Sequence, residues 1–178
     1  IVPEGLTGLQ LSFNFTVRNK KSGGNIMEIE KKYLTKTLPF DIEQYPKKEI
    51  SQSYISLSPT IRIRRLGDKY FLTVKGRGSV CRQEFELEIS KYEYDGLLKK
   101  RCTEELLKTR YFIPIEKGLT AEVDIYHGSL NGLITTEVEF KSIEEMESFV
   151  PPQWFGKDIS LDNRYKNTWL IENGIPQE

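Results

Sequence analysis

The chain has 178 residues, a length that suits one domain with a sizeable core. Its 26 basic and 26 acidic residues give a formal net charge of zero, so overall charge favours neither nucleic acid nor an anionic membrane as a partner. No apolar run approaches the ~20 residues of a membrane-spanning helix, and residues 1–15 lack the pattern of a signal peptide. Cys81 and Cys102 form no CxxC pair, so we expect a reduced, cytoplasmic protein.

The first 26 residues differ from the rest of the chain. A polar stretch that contains two glycines spans residues 18–25, and regular alternation of side-chain type begins after it, at Met27. We therefore divide the chain into an N-terminal extension or added segment, residues 1–26, and a single domain, residues 27–178.

From Met27 onwards, polar and apolar residues alternate with a period of two, which is typical of half-buried strands. The predicted strands cover residues 27–35, 48–57, 60–66, 69–76, 80–90, 104–115, 120–127 and 132–141. Turn-forming residues predict hairpin connections at 66–69, 76–79 and 127–132. Helices are predicted over residues 39–46, 91–101, 142–149 and part of 162–172, so the fold class is α+β and mainly β.

One face of almost every predicted strand is charged, while the opposite face is apolar. In the strand at 60–66, for example, Arg62 and Arg64 alternate with Ile61 and Ile63. The basic residues on these faces are Lys32, Arg62, Arg64, Lys75, Arg82, Lys108 and Arg110. The acidic residues are Glu28, Glu30, Glu84, Glu86, Asp124, Glu137 and Glu139.

Two structures explain such faces. A half-exposed antiparallel sheet with its charges in water accounts for any one strand. A closed sheet accounts better for the recurrence over six strands, because solvent faces usually mix Ser, Thr and Gln with charges; a barrel of ~8 strands can hold one small ligand. In a closed sheet Arg62, Arg64 and Glu86 should be shielded from water, and Ile61, Ile63 and Phe85 should pack under helices.

The charges themselves indicate what a lumen would bind. Bringing many ions together costs several kcal/mol for each ion that lacks a partner. Arginine forks match phosphate oxygens, and carboxylates suit hard divalent cations, which take oxygen ligands. A polyphosphate with bound Mg²⁺ or Mn²⁺ satisfies both sets, so the charged faces predict a site for a metal–polyphosphate complex.

The ordered motifs resemble those of a known family. "EIEKK" at residues 28–32 looks like the ExExK signature of the CYTH superfamily, the triphosphate tunnel metalloenzymes. It is followed in order by "RIR", "TVKG", "RQEFELE", "KTRYFIP", "EVDIY", "EVEF" and "DNRYKN", and the resemblance covers residues 27–170. ExExK alone is a weak motif, whereas the ordered set is specific.

The resemblance implies a closed eight-stranded antiparallel β-barrel tunnel, with helices packed outside, that acts on triphosphate compounds. It implies phosphate-binding roles for Lys32, Arg62, Arg64, Lys75, Arg82, Lys108 and Arg110, and metal ligation by Glu28, Glu30, Asp124, Glu137 and Glu139. Lys32, Arg82, Glu84 and Glu86 are the catalytic candidates; for the two glutamates, metal ligation and water activation stay open. The "DNRYKN" motif resembles one that helps to close one end of the tunnel.

Hydrolysis and cyclisation of a triphosphate use nearly the same groups in this family. Family cyclases often carry a His-Phe pair ahead of ExExK, and Ser22 and Gly23 stand at those positions here. This favours a divalent-metal-dependent triphosphatase, with inorganic tripolyphosphate as the expected substrate. Nucleoside triphosphate hydrolysis, a class IV-type adenylate cyclase and a binding module without turnover are the alternatives. We expect Mg²⁺ or Mn²⁺ as cofactor, no nucleic-acid or membrane partner, and a monomer or homodimer.

Overall fold

A computed structural model describes residues 25–38, 40–76 and 81–177, leaving aside the side chains of residues 25–28 and 81–83. Its eight strands are β1 (Asn25–Leu34), β2 (Lys47–Leu57), β3 (Thr60–Leu66), β4 (Lys69–Lys75), β5 (Cys81–Ile89), β6 (Leu106–Pro114), β7 (Thr120–Tyr126) and β8 (Ile134–Glu139). Three α-helices accompany them: α1 (Lys91–Leu98), α2 (Ile143–Glu147) and α3 (Asn167–Asn173). Single 3₁₀ turns lie at Ile42–Gln44, Glu116–Gly118, Gly128–Leu130 and Asn163–Tyr165.

All strand pairs are antiparallel, in the order β1-β5-β4-β3-β2-β6-β7-β8. The strand β1 has two partners, because Asn25–Ile29 pairs with β5 and Glu30–Leu34 pairs with β8. Together the strands curl into a half-barrel with a concave inner face. The prediction of a mainly β fold built from eight antiparallel strands is therefore confirmed.

The convex face of β1 and β6–β8 carries the larger apolar core. Strand residues such as Tyr33, Val123 and Val138 alternate with the inward charges and are almost fully buried. The chain after α2 covers them: the Phe155 ring lies 4.9 Å from that of Tyr33, and Phe149 packs on Phe140 at 5.2 Å between centroids. Burial of this face directs the opposite, charged face of the same strands to the concave side.

The C-terminal segment packs against one end of the half-barrel. Ile159, Tyr165 and Leu170 form a second buried cluster with residues of β6, β7 and the loop that follows β7. Backbone hydrogen bonds fix this segment to β1, since Leu34 N–H donates to the Lys157 carbonyl at 2.9 Å and Ile159 N–H donates to the Lys32 carbonyl at 2.8 Å. The predicted closing role of the "DNRYKN" motif is consistent with this packing.

One packing prediction is wrong. Ile63 is completely buried, but Phe85 is 38% exposed, as is its cross-strand partner Val74 at 37%. The helix α1 ends at Leu98 instead of residue 101, so its eight residues span about 12 Å. Its buried residue Tyr94 packs on Tyr70 at the opposite end of β4, which leaves Val74 and Phe85 uncovered.

Part of the sequence prediction lies outside the described residues, namely the structure of residues 1–24 and the turn at 76–79 beyond Gly76. No helix within the described ranges is both long and apolar enough to cross a membrane.

The packing of the C-terminal segment predicts the effect of truncating Leu170, which is 1% exposed. We expect Leu170→Ala to lower the free energy of unfolding by about 2–5 kcal/mol, because it removes buried methyl groups and leaves a cavity. Leu161→Ala in the same segment is the control, since Leu161 is 76% exposed, and should change stability by less than about 0.5 kcal/mol. Urea unfolding measures both variants, and equal stability of the two would contradict this packing.

Candidate active site

The concave face carries two groups of charges. The first, which we call the arginine cluster, lies on β3, β4 and β5. It consists of Arg62, Arg64, Lys75, Glu84 and Glu86. The second, which we call the Asp124 cluster, lies on β1, β6, β7 and β8. It consists of Lys32, Lys108, Arg110, Glu122, Asp124 and Glu137.

In the arginine cluster the carboxylates of β5 face the cations of β3 and β4. Arg64 Nη2 lies 2.8 Å from Glu86 Oε2, and Lys75 Nζ lies 2.7 Å from Glu84 Oε2. Arg62 Nη2 lies farther from both carboxylates, at 3.8 Å from Glu84 and 3.6 Å from Glu86. All five side chains are shielded from bulk water, so the predicted shielding of Arg62, Arg64 and Glu86 is confirmed.

The two arginines are not fully satisfied by protein groups. The Nε atoms of Arg62 and Arg64 are buried and have no hydrogen-bond partner in the described part of the chain. Burial lowers the pKa of Arg64, and neighbouring Arg62 lowers it further, against the opposing effect of Glu86. Two adjacent buried guanidinium groups with spare donors form an environment that favours an anion.

In the Asp124 cluster a single carboxylate holds two cations. Arg110 donates to Asp124 through Nε at 2.7 Å and through Nη2 at 2.6 Å, and Lys108 donates to the same carboxylate. Arg110 also pairs with Glu122 and, at 2.5 Å, with Glu137. Asp124 is completely buried, and its two oxygens are engaged by the cations, so the structure shows Asp124 as a counter-ion.

Burial and neighbouring charges shift the pKa values of the two lysines in opposite directions. Burial lowers the pKa of Lys108 to about 8, because Arg110 and Lys32 partly cancel the attraction of Asp124. Burial also lowers the pKa of Lys32, but Tyr126, Glu137 and Asp124 outweigh it and leave that pKa raised. Lys32 Nζ lies 3.1 Å from Glu137 Oε1, so this lysine is a firmly charged member of the site.

Four glutamates on β1, β7 and β8 lie on the same stretch of inner face. Glu30 is the Cα partner of Glu139, and Glu122 is the Cα partner of Glu137. Like charges that face each other across strands are destabilising. Burial raises the pKa of Glu122 to about 7; Glu139, Glu137 and Asp124 raise it, whereas Arg110 lowers it. Among the described residues no three His, Cys, Asp or Glu side chains are already arranged as a metal site.

A cavity of about 600 Å³ opens beside these charges. Its wall includes Lys32, Arg62 and Lys75 from the strands, and Lys166 and Asn167 from the C-terminal segment. The space next to the basic side chains is therefore bounded on one side by the segment that packs against the end of the half-barrel.

Most predicted site residues are brought together here. Glu28 and Arg82 are Cα partners across β1 and β5, but their side chains lie outside the described atoms, so their roles stay predictions. The selection of site residues from sequence missed Glu122 and Tyr126. The signal was present, because both share the face of Asp124 in the alternation of β7.

Similarity to known proteins agrees with this geometry. The chain is 36% identical over 148 residues to an inorganic triphosphatase of Nitrosomonas europaea, covering 80% of this chain and 95% of that protein. An inorganic triphosphatase of Acetivibrio thermocellus is 36% identical over 116 residues, covering 64% of this chain and 72% of that protein. A crystal structure of an inorganic triphosphatase matches with a TM-score of 0.62 and 31% identity, over 85% of this chain and 98% of that one. No protein-family model matches the chain.

These similarities define the class as the CYTH proteins. A putative adenylyl cyclase from Hippeastrum shares the fold at 16% identity and a TM-score of 0.52, covering 67% of this chain and 82% of that one. The chain belongs to the CYTH superfamily, in the family of the inorganic triphosphatases. The resemblance found in the ordered motifs is thereby confirmed.

The role of Asp124 as a counter-ion predicts a large loss of stability in Asp124→Asn. The substitution removes the carboxylate that Lys108 pairs with in a buried site, while Arg110 keeps Glu122 and Glu137. It should lower the free energy of unfolding by about 3–5 kcal/mol. Glu88→Gln is the control, because the Glu88–Lys69 pair, at 2.9 Å, is more than half exposed. It should cost less than about 1 kcal/mol. Urea unfolding near neutral pH compares the two variants. An unfolding midpoint for Asp124→Asn equal to that of the wild type would contradict the counter-ion role of Asp124.

Proposed function

We propose that this protein hydrolyses triphosphate compounds, inorganic tripolyphosphate in particular, with the help of Mg²⁺ or Mn²⁺. The substrate lies on the concave face, and the half-barrel closes around it as a tunnel. The continuous pairing of β1 with both β5 and β8 supports closure. Hydrolysis adds water at the terminal phosphorus, breaks one phosphoanhydride bond, and releases phosphate and pyrophosphate.

The observation that carries this proposal is the pair of incompletely satisfied arginines. Arg62 and Arg64 project from one face of β3, are shielded from water, and keep buried Nε–H groups without protein partners in the described chain. A guanidinium group binds phosphate oxygens through two parallel hydrogen bonds. Lys75 lies on the neighbouring strand and Lys32 across the lumen, so a polyphosphate here meets basic groups along its length.

The glutamates of β1, β7 and β8 fit a divalent cation. Glu30, Glu137 and Glu139 supply carboxylate oxygens. Burial raises the pKa of Glu122, and the neighbouring carboxylates of Glu139, Glu137 and Asp124 add to that rise, so a cation here would relieve repulsion among them. Glu28 lies two residues before Glu30 on the same strand and is a further candidate. We assign Asp124 to the anchoring of Arg110 and Lys108 instead of metal ligation, because it is completely buried behind these cations. Glu137 also pairs with Lys32 and Arg110, but it borders the cavity and can reach a bound cation there.

The protein's own groups act mainly by positioning and by neutralising charge. Arg62, Arg64 and Lys75 hold the phosphate oxygens, and Lys32 adds a fixed positive charge where negative charge develops. Glu84 and Glu86 hold these cations in place, at 2.7 Å for Lys75 and 2.8 Å for Arg64. When bound, the metal ion polarises phosphoryl oxygens and neutralises the charge that grows on them.

The cation requirement gives the first test of this function. Purified protein should release phosphate from tripolyphosphate with Mg²⁺ or Mn²⁺, lose the activity in excess EDTA, and regain it when either metal is restored. The same assay should include ATP, thiamine triphosphate and pyrophosphate, with cyclic AMP as an additional product. Full turnover in excess chelator would contradict the metal assignment, and cyclic AMP as the main product would favour the cyclase alternative.

Substitutions on the two faces of β3 test the arginine site. Arg64→Ala removes hydrogen bonds to a charged ligand, worth about 1.5–3 kcal/mol, and should lower kcat/KM about 10- to 150-fold. Arg65→Ala, the control, removes a neighbouring arginine that lies exposed on the opposite face and should leave kcat/KM within about twofold of wild type. Equal losses in both variants would show that the effect comes from overall charge and not from an anion site.

Glu139→Gln tests the acidic side. Glu139 is exposed and forms no ion pair with the residues that the structure describes. Its replacement should leave stability unchanged or slightly increased by relieving repulsion with Glu30 and Glu122. Turnover should fall by at least about 100-fold, because loss of even an outer-shell partner of a metal typically costs 10- to 100-fold. Near-normal turnover at saturating Mg²⁺ would remove Glu139 from the metal site.

A further inference from the structure

The hydroxyl of Tyr126 connects the charged inner face to the C-terminal segment. Tyr126 is the last residue of β7 and is completely buried. Its hydroxyl donates to Asn167 Oδ1 at 2.9 Å, where α3 begins. Lys32 Nζ and Thr135 Oγ1 each lie 3.5 Å from the same oxygen. One buried phenol therefore contacts a strand lysine of the site and the residue that begins the C-terminal helix.

The backbone of Lys32 is also held by this segment. Lys32 N–H donates to Ser160 Oγ at 2.9 Å, and the Lys32 carbonyl accepts from Ile159 N–H at 2.8 Å. Lys32 is thus attached to the C-terminal segment at its main chain through residues 159–160 and at its side chain through Tyr126 and Asn167. The two attachments use different atoms and lie at opposite ends of the lysine.

The donors of the Lys32 ammonium group show what this arrangement achieves. An ammonium has three N–H donors. Among the described residues, one is directed to Glu137 at 3.1 Å and a second to the Tyr126 hydroxyl at 3.5 Å. Because two N–H groups point to protein oxygens, the tetrahedral geometry of the ammonium fixes the direction of the third. Lys32 also borders the cavity, where a substrate could accept a hydrogen bond from this group.

We propose that Tyr126 and Asn167 form a relay through which the C-terminal segment positions the Lys32 ammonium for the substrate. Tyr126 is a positioning residue, because it acts through Lys32 and is not itself proposed to touch phosphate. The inference rests on the proposed function insofar as Lys32 binds a phosphate group. It goes beyond that function by making the C-terminal segment part of the site and not merely a cover over one end.

The alternative is that Tyr126 only fills space in the apolar cluster beside Leu106 and Leu133. Tyr126→Phe separates the two roles, because it keeps the ring and removes the hydroxyl. A packing role predicts unchanged kinetics for this variant. The relay predicts that kcat for tripolyphosphate falls about tenfold, the loss expected for a hydrogen bond to a charged group. KM should change much less, because Arg62 and Arg64 still bind the substrate.

Tyr94→Phe is the matched control. Tyr94 is also a buried tyrosine, and its hydroxyl lies 3.5 Å from Ser51 Oγ beneath α1, away from the inner face. It should keep wild-type kcat. Asn167→Ala should reproduce a large part of the Tyr126→Phe loss, because it removes the acceptor that orients the phenol. If Tyr126→Phe keeps wild-type kcat, or if Tyr94→Phe loses as much, the relay is refuted.

Two further measurements keep the test specific. In a Lys32→Met background, Tyr126→Phe should cause no additional loss of kcat, since the relay acts only through the ammonium; additive losses would refute it. The nitrogen-15 NMR signal of the Lys32 ammonium, assigned by its disappearance in Lys32→Met, should shift in Tyr126→Phe and stay in place in Tyr94→Phe. Measuring this signal requires no catalytic activity. A wild-type protein that fails to hydrolyse tripolyphosphate would refute the proposed function, while an unmoved Lys32 signal would refute the relay.

Discussion

The mutual compensation of buried charges on the inner face is the constraint on which the rest of this structure depends. Strand alternation gives each residue one of two faces, and the apolar face is committed to the core around Tyr33 and Val123. The arginines, lysines and carboxylates of the same strands must therefore share the concave side. Each ion that lacked a partner there would cost several kcal/mol. Pairs such as Arg110–Asp124 and Arg64–Glu86 supply this compensation, so the groups proposed to bind ligand also contribute to folding.

Period-two alternation was sufficient to predict the strands and the inward direction of their charges. Strand register, which is set by long-range pairing, decides which charges meet. Arg110 and Asp124 are Cα partners on β6 and β7, whereas Glu137, which also reaches Arg110, comes from β8. The sequence alone predicted Asp124 as a metal ligand, which stays a prediction; its placement directly opposite Arg110, which makes it a counter-ion, follows from the register of β6 and β7. Phe85 remained exposed for a similar reason, since the length of α1 is not fixed by the alternation of β5.

The C-terminal segment was the part of the site that sequence patterns described least well. Ser160 and Asn167 belong to no alternating strand, and nothing in their local sequence indicates Lys32 as a neighbour. Their contacts arise because Ile159 and Leu170 are apolar and pack against the end of the half-barrel beside Leu106 and Leu130. Burial of these side chains brings the polar residues between them to the lumen. Hydrophobic packing thus selects which polar groups reach the site, and the resulting hydrogen bond between Ser160 and Lys32 joins residues 128 positions apart in sequence.

The two sets of charges also imply that the proposed metal and substrate bind interdependently. Phosphate oxygens that engage Arg64 and Lys75 compete with Glu86 and Glu84, their present partners. Each carboxylate released from a cation becomes a buried charge that has lost that partner, which is energetically costly. The glutamates of β1, β7 and β8 already repel one another. A divalent cation supplies that compensation, so binding of the polyphosphate should strengthen binding of the metal. By linkage, the metal must strengthen binding of the polyphosphate by the same factor. A lumen of this kind favours the combination of anion and cation over either ion alone.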